Sequence, residues 1–233
     1  NVVGVALPSK YNTEESLVDA RLLAENLDIE FKVIEIEEIV NIFRNTLKES
    51  VNDELGQTTD ENIQSRVRGN ILMALSNQTG AMVVSTGNKS EMAVGYSTLY
   101  GDLAGGFALL KDLYKTEVYN LANFRNSISS VIPQNTIDKE PSAELRPDQF
   151  DKDSLPEYEL LDEILRMYIE EDSSSEKIIS TGIDENIVYD VLSKVDRNEY
   201  KRKQVAPGVK LTEKAFGKDR RMPITNTYIR ERG

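Results

Sequence analysis

The run Val2-Val3-Gly4-Val5-Ala6-Leu7, stopped by Pro8, is the feature that most limits what this chain can fold into. Six uncharged residues without polar alternation predict a strand covered on both faces, the pattern of a parallel sheet. Proline cannot donate to the ladder and ends the strand. Thr13 followed by Glu14, Glu15 and Ser16 predicts a helix start with acids at the positive end of its dipole. Leu17, Ala20, Leu23, Ala24 and Leu27 then mark one apolar helical face. From Phe31 to Ile36 the pattern alternates and predicts the next strand. Strand, helix, strand is the grammar of a parallel crossover. A strand this apolar should have neighbours on both sides, so further sequence is expected before Asn1.

Periodicity predicts a helix from about 38 to 50, with Ile39, Ile42, Phe43 and Leu47 as its apolar marks, then a loop over 52–59. A long helix over 61–78, capped by Thr59 or Asp60, should bury Ile63, Val67, Ile71, Ala74 and Leu75. A third strand is expected at 81–85, a short helix at 89–94, a glycine-rich loop to Gly106 and a helix over 116–124. From Val131 the texture becomes irregular. A helix should follow Pro156 to about Glu170, a short one lie near Glu176, and another run from Glu185 to about Arg197. These elements predict an α/β fold, a Rossmann-like parallel sheet with helices on both faces and a helical C-terminal extension. The 233 residues read as one domain, with a sheet-based core over 1–130 and a helical extension with a basic loop over 131–233.

With neither cysteine nor histidine, the chain has no thiolate nucleophile, no imidazole base and none of the usual zinc sites. The lack of cysteine fits a cytoplasmic location. No stretch approaches the roughly 20 apolar residues of a membrane span, and a net charge of -12 argues against a nucleic-acid binder. Charge is unevenly spread. Lys201 to Arg221 carries 8 basic and 2 acidic residues, so an anionic ligand has a local partner in an acidic protein. That segment suits a mobile lid over a triphosphate, and equally a solvated flank.

Several residues suit ligand chemistry. Asn62 and Arg66 are four apart on a helix and share a face beside Ile63 and Val67, whereas Arg68 points elsewhere and reads as structural. Arg66 is the better clamp for an anion and Asn62 an orienting donor. Thr86-Gly87-Asn88 follows the third strand, where ligands collect in open α/β sheets. Thr86 can bond a phosphate or ribose, Gly87 lets backbone approach it, and Glu91 can ligate Mg²⁺ that bridges phosphates. The same run also suits a plain helix cap. Asp102, in a glycine-rich loop, can accept a bond from an amine, amide or ribose. Lys115 is a candidate phosphate partner.

Taken in order, Ser85-Thr86-Gly87-Asn88-Lys89-Ser90-Glu91, Tyr100-Gly101-Asp102, Lys111-Asp112 with Lys115-Thr116, Pro141-Ser142-Ala143-Glu144-Leu145 and Lys218-Asp219-Arg220-Arg221 resemble the NAD synthetases, members of the adenine-nucleotide α-hydrolase-like ATP pyrophosphatases. The wording is closest to the glutamine-dependent type. The resemblance implies ATP-dependent amidation of deamido-NAD through an adenylated intermediate, with release of pyrophosphate and AMP. It implies ATP contacts at Thr86, Lys115, Lys218 and Arg220, Mg²⁺ at Glu91, and deamido-NAD contacts at Asn62, Arg66, Tyr158 and Asp162. Catalytic roles fall to Asp102, Lys115 and Lys218. It further implies a homodimer, and nitrogen from free ammonia or from glutamine through a separate glutaminase domain. The family's Ser-Gly-Gly-x-Asp-Ser phosphate loop does not occur in the sequence and is expected before Asn1. Another ATP pyrophosphatase with a different acceptor, or a non-catalytic nucleotide-binding relative, are the competing readings.

Overall fold

The computed structural model of the protein describes residues 1–51 and 53–225. Two compact units are formed, the first from Asn1–Ile71 and Tyr119–Asp153, the second from Leu72–Val118 and Ser154–Gly233. The fold is α/β, with parallel strand pairs, flanking helices and a helical C-terminal region.

In the first unit, β1 (Val3–Ala6) pairs in parallel with β2 (Glu30–Val33), in the register Val3↔Glu30 to Ala6↔Val33. The ladder runs on beyond the strands, because Ile34 N–H donates to Ala6 O at 2.9 Å and Ile36 N–H to Pro8 O at 3.0 Å. Ile36 is completely buried as a result. α1 (Glu14–Asn26) makes the crossover, and Thr13 caps it by accepting from Ser16 N–H. Ala24 is buried on the expected face, with Leu17, Ala20 and Leu23 half-buried and only Leu27, the C-cap, exposed. Among the described residues β1 is not covered on both faces. Val2 is 66 % and Val3 43 % exposed, since β1 has a single paired neighbour among the described residues.

α2 (Glu37–Val51) and α3 (Gln57–Thr79) follow. Of the loop expected over 52–59, Asn52 lies outside the described residues, and α3 begins earlier than periodicity predicts. α2 also presents a different face from the one expected. Val40 is buried, while Ile42 and Phe43 are exposed. Arg44 explains the rotation. It donates to Asp60 Oδ2 at 2.8 Å and to Glu37 Oε1 at 2.9 Å, turning the Val40–Arg44–Leu47 stripe inward. On α3, Ile63 and Val67 are buried as predicted, but so is Gln64, which accepts from Ser9 Oγ at 3.1 Å and donates to Leu145 O at 2.9 Å. Ala74 is exposed rather than core. Arg68 is structural, donating to Leu7 O at 2.8 Å and to Asn12 Oδ1 at 3.0 Å.

In the second unit, β3 (Val84–Ser85) pairs in parallel with β4 (Phe107–Ala108). Between them lies α4 (Lys89–Val94), closed by Gly95 at φ 72°. A Cβ on Gly95 would fall 2.1 Å from Asn198 Cγ, so both the backbone conformation and the packing require glycine. α5 (Lys115–Ile128) begins in this unit, and α6 (Gln134–Asp138) belongs to the first. α7 (Tyr158–Leu165) continues into a wider turn over Arg166–Glu170. α8 (Ser175–Ile179), α9 (Glu185–Arg197) and α10 (Glu199–Arg202) follow. Asp184 caps α9 by accepting from Asn186 and Ile187 N–H. The core of this unit joins Val94, Leu161, Leu165, Ile169, Val191 and Leu192 with their neighbours on α4, α7, α8 and α9.

Candidate active site

Glu91 and Lys115 form the centre of the candidate site. Glu91 stands on the first turn of α4, and its placement comes from a reciprocal cap. Asn88 Oδ1 accepts from Glu91 N–H at 3.0 Å, and Glu91 Oε2 accepts from Asn88 N–H at 3.1 Å. The other carboxylate oxygen, Oε1, faces Lys115 Nζ at 3.2 Å, with about a fifth of each side chain exposed. The capping reading of this run is therefore met, and the second carboxylate oxygen is left turned to Lys115. Thr86 is exposed just after β3. Ser85, the last residue of β3, is buried with an Oγ that has no hydrogen-bond partner among the described residues.

Lys115 opens α5. Its N–H donates to Ser90 Oγ at 2.9 Å, and its ammonium lies 5.2 Å from the centre of the Tyr158 ring. Ser90 Oγ in turn donates to Asp162 Oδ1, while Thr116 donates to Asp162 Oδ2 through its N–H at 3.0 Å and its hydroxyl at 2.8 Å. Tyr158 is 8 % and Asp162 1 % exposed, so these two expected substrate contacts face protein more than solvent. Burial pushes the Asp162 carboxyl above its usual range, against the lowering effect of its bonds to Ser90 and Thr116.

Asp102 keeps solvent contact, yet protein atoms crowd it enough that desolvation raises its carboxyl above the ordinary value. Thr98 N–H donates to its Oδ1 at 2.6 Å, and the Lys201 charge acts in the opposite direction to burial. Asn62 and Arg66 are on α3 in the first unit, with Arg66 exposed and Asn62 half-buried beside the buried Ile63 and Val67. The structure thus brings Glu91, Lys115, Tyr158 and Asp162 together, puts Asp102 in the same unit, and carries Asn62 and Arg66 in the other.

The basic segment is more fixed than its composition implies. Lys201 and Arg202 belong to α10 and are struts rather than lid residues. Lys201 donates to Gly95 O at 2.6 Å and Ser97 O at 2.7 Å. Arg202, 6 % exposed, donates to Ala93 O at 2.6 Å and to Val195 O, satisfying carbonyls at the C-terminal ends of α4 and α9. Lys210 pairs with Asp219 at 2.8 Å, and Arg220 lies 4.3 Å from the Tyr168 ring. Lys218 sits beside Asp219 and lowers its carboxyl further, after the larger effects of bonds from Lys210 and the Ala215 amide.

A second set of charges, absent from the sequence reasoning, roots this segment. Lys89 is completely buried. Its ammonium lies 3.1 Å from Asp112 Oδ1, 2.9 Å from Glu170 Oε1, 2.5 Å from Thr212 Oγ1 and 3.0 Å from Lys214 O. Asp112 also accepts from the N–H groups of Leu211 at 2.7 Å and Thr212 at 2.8 Å. Burial alone would raise Asp112, but these bonds and the Lys89 charge hold it below the usual carboxylate range. A lysine next to a serine and a glutamate carries no sequence signal of burial.

Among the described residues no group of three or more carboxylates could cage a metal. A single carboxylate on a helix N-terminus still fits Mg²⁺, which keeps several waters and binds through one or two carboxylates plus substrate phosphates. No helix of the described residues is long and apolar enough to cross a membrane.

The NAD synthase family model matches residues 1–205. The glutamine-dependent NAD(+) synthetase of Aquifex aeolicus is 53% identical over 230 residues, which cover 99% of this chain and 41% of that protein. The chain spans about two fifths of the length of the curated relatives it matches. Among solved structures, the glutamine-dependent NAD+ synthetase of Acinetobacter baumannii in complex with ADP matches with a TM-score of 0.57 and 46% identity, over 95% of this chain and 40% of that one. The NH3-dependent NAD synthetase of Campylobacter jejuni matches with a TM-score of 0.68 and 29% identity, over 86% of this chain and 75% of that one.

Proposed function

We propose, from the premise that the chain belongs to the NAD synthase family, that it is the ATP-using part of an enzyme converting deamido-NAD into NAD. The observation that carries this reading is the Glu91–Lys115 pair, a carboxylate and an ammonium 3.2 Å apart at adjoining helix starts. Such a pair suits a metal–phosphate ligand, which both partners can grip after parting from each other.

The reaction has two steps. A nicotinate carboxylate oxygen of deamido-NAD attacks the α-phosphorus of ATP and expels pyrophosphate, leaving an adenylated carboxylate. Ammonia then attacks the carbonyl carbon, loses a proton and expels AMP, which yields the amide. Neither step needs a histidine or cysteine, and the chain has none. Both need charge neutralisation and placement. Glu91 would hold Mg²⁺, which would supply neutralisation of the phosphate charge. Lys115, Lys218 and Arg220 steady the leaving pyrophosphate, and Thr86 contacts ATP. Arg66 and Asn62 orient deamido-NAD, with Tyr158 near the same substrate. Asp102, whose carboxyl takes a proton more readily than usual, receives ammonium and accepts a proton from it, which leaves ammonia placed for attack. The nitrogen comes from glutamine through a separate glutaminase domain, or from free ammonia. The working form is a cytoplasmic homodimer.

The intact protein is to be given deamido-NAD, ATP and Mg²⁺ with either ammonium or glutamine. NAD, AMP and pyrophosphate should appear in equal amounts with at least one donor. No NAD with either donor overturns the reading, and turnover with ammonium alone excludes the glutamine-dependent route.

A further inference from the structure

We propose that Asp162 is a positioning residue that, through Ser90, fixes Lys115 relative to Glu91, and that it does not touch substrate. This inference rests on the reading of Glu91 and Lys115 as the phosphate and Mg²⁺ groups.

Asp162 is 1 % exposed and both its oxygens are engaged within the protein. One takes the Ser90 hydroxyl, the other the Thr116 amide and hydroxyl. Ser90 is the residue before Glu91 on α4, and its own oxygen accepts the Lys115 N–H at 2.9 Å. A single carboxylate therefore ties the first turn of α4 to the first turn of α5, the two places from which Glu91 and Lys115 project. Tyr158 stands four residues earlier on α7 and shares a helical face with Asp162. Its ring lies 5.2 Å from the Lys115 ammonium. One face of α7 thus holds both ends of Lys115, its backbone through Asp162 and its charge through Tyr158. Leu161 and Leu165, both fully buried, fix that face in the core. A displacement of about 1 Å at a reacting group can cost on the order of 100-fold in rate, so a tie of this kind acts on chemistry without contacting the substrate.

The test is exchange of labelled pyrophosphate into ATP by the intact protein with Mg²⁺ and deamido-NAD. Asp162→Asn keeps an acceptor for Thr116 but cannot also accept from Ser90. It should lower kcat about tenfold, the effect of roughly 1.4 kcal/mol, while leaving the KM for deamido-NAD within about twofold. Ser90→Ala should do the same, and it carries the test if Asp162→Asn does not fold. In a Lys115→Ala background either change should cost little more, because the residue being positioned is gone. A raised deamido-NAD KM at unchanged kcat would make Asp162 a substrate contact and overturn the proposal. So would a full multiplicative loss in the Lys115→Ala background, or no loss at all. Unchanged exchange in Lys115→Ala and Glu91→Gln themselves would instead sink the underlying reading of the site.

Discussion

Replacing Lys89 by methionine removes the one cation in a buried knot of acceptors. Met has nearly the same length and packs in the same space, so the cavity term is small. What remains is electrostatic. Asp112 loses a partner at 3.1 Å and Glu170 one at 2.9 Å, and Asp112 is 1 % exposed. Breaking a buried pair from one side costs about 3–5 kcal/mol. The lower end applies, because Asp112 keeps the N–H groups of Leu211 and Thr212. A loss of about 3 kcal/mol corresponds to a fall of roughly 6–12 °C in melting temperature for a chain of this size. Hydrogen exchange gives the sharper assay, since the amides of Leu211 and Thr212 should lose protection together in Lys89→Met. Adding Asp112→Leu should not restore stability, because the N–H groups of Leu211 and Thr212 then lose their acceptor as well. A Lys89→Met protein that melts within about 1 °C of the wild type, with those two amides still protected, would refute the reasoning.

Three further outcomes follow from the same geometry. Glu91→Gln should cut adenylation by about 10²–10³ and raise the Mg²⁺ needed for half-maximal exchange, but melt close to wild type because glutamine still caps Asn88 N–H; an unchanged Mg²⁺ titration would remove Glu91 from that role. Arg44→Met should lower stability at neutral pH and flatten its loss on acidification. The bond from Arg44 holds the Asp60 carboxyl below the usual carboxylate range, and Glu37 is also lowered, its contacts outweighing burial. Stability from such groups is present above the unfolded value and lost as pH falls through the lower folded value. The variant should therefore be less stable than wild type at pH 7 and converge on it as pH falls through the carboxylate range, read by chemical denaturation from pH 7 to pH 2. Gly95→Ala, at φ 72° and with Asn198 2.1 Å away from the new methyl, should destabilise by about 1–3 kcal/mol in urea titrations.

Much of this was legible in the residues, for identifiable reasons. α1 carries both a cap and a stripe, so Thr13 marks its start in the sequence as in the structure, and the run through Asn88 suits the cap that α4 forms. The parallel pairing of β1 with β2 follows from the apolar run and the helix between. α2 was misread because periodicity assigns arginine to solvent, and Arg44 is held inward by two carboxylates that are distant in the pattern. The site divides in the same way. Glu91 next to a helix start is visible in the sequence as a capping acid, and the structure forms that cap. Asp162 shows no sign in the sequence of being sealed behind Ser90 and Thr116, nor Lys89 of being completely buried. The net charge of 201–221 was likewise visible, but the carbonyls that immobilise Lys201 and Arg202 come from α4, α9 and the turn after Gly95, more than 90 residues away in several cases. Charge counts report what a segment can attract. Only the fold determines what it has already bound.

Oxygen transfer tests the central claim most directly. Deamido-NAD labelled with ¹⁸O in its nicotinate carboxylate is converted by the intact protein with ATP, Mg²⁺ and ammonium, and the products are weighed by mass spectrometry. If the carboxylate is adenylated before amidation, one ¹⁸O from each turnover leaves in AMP and none in pyrophosphate. NAD formed with unlabelled AMP would contradict the account.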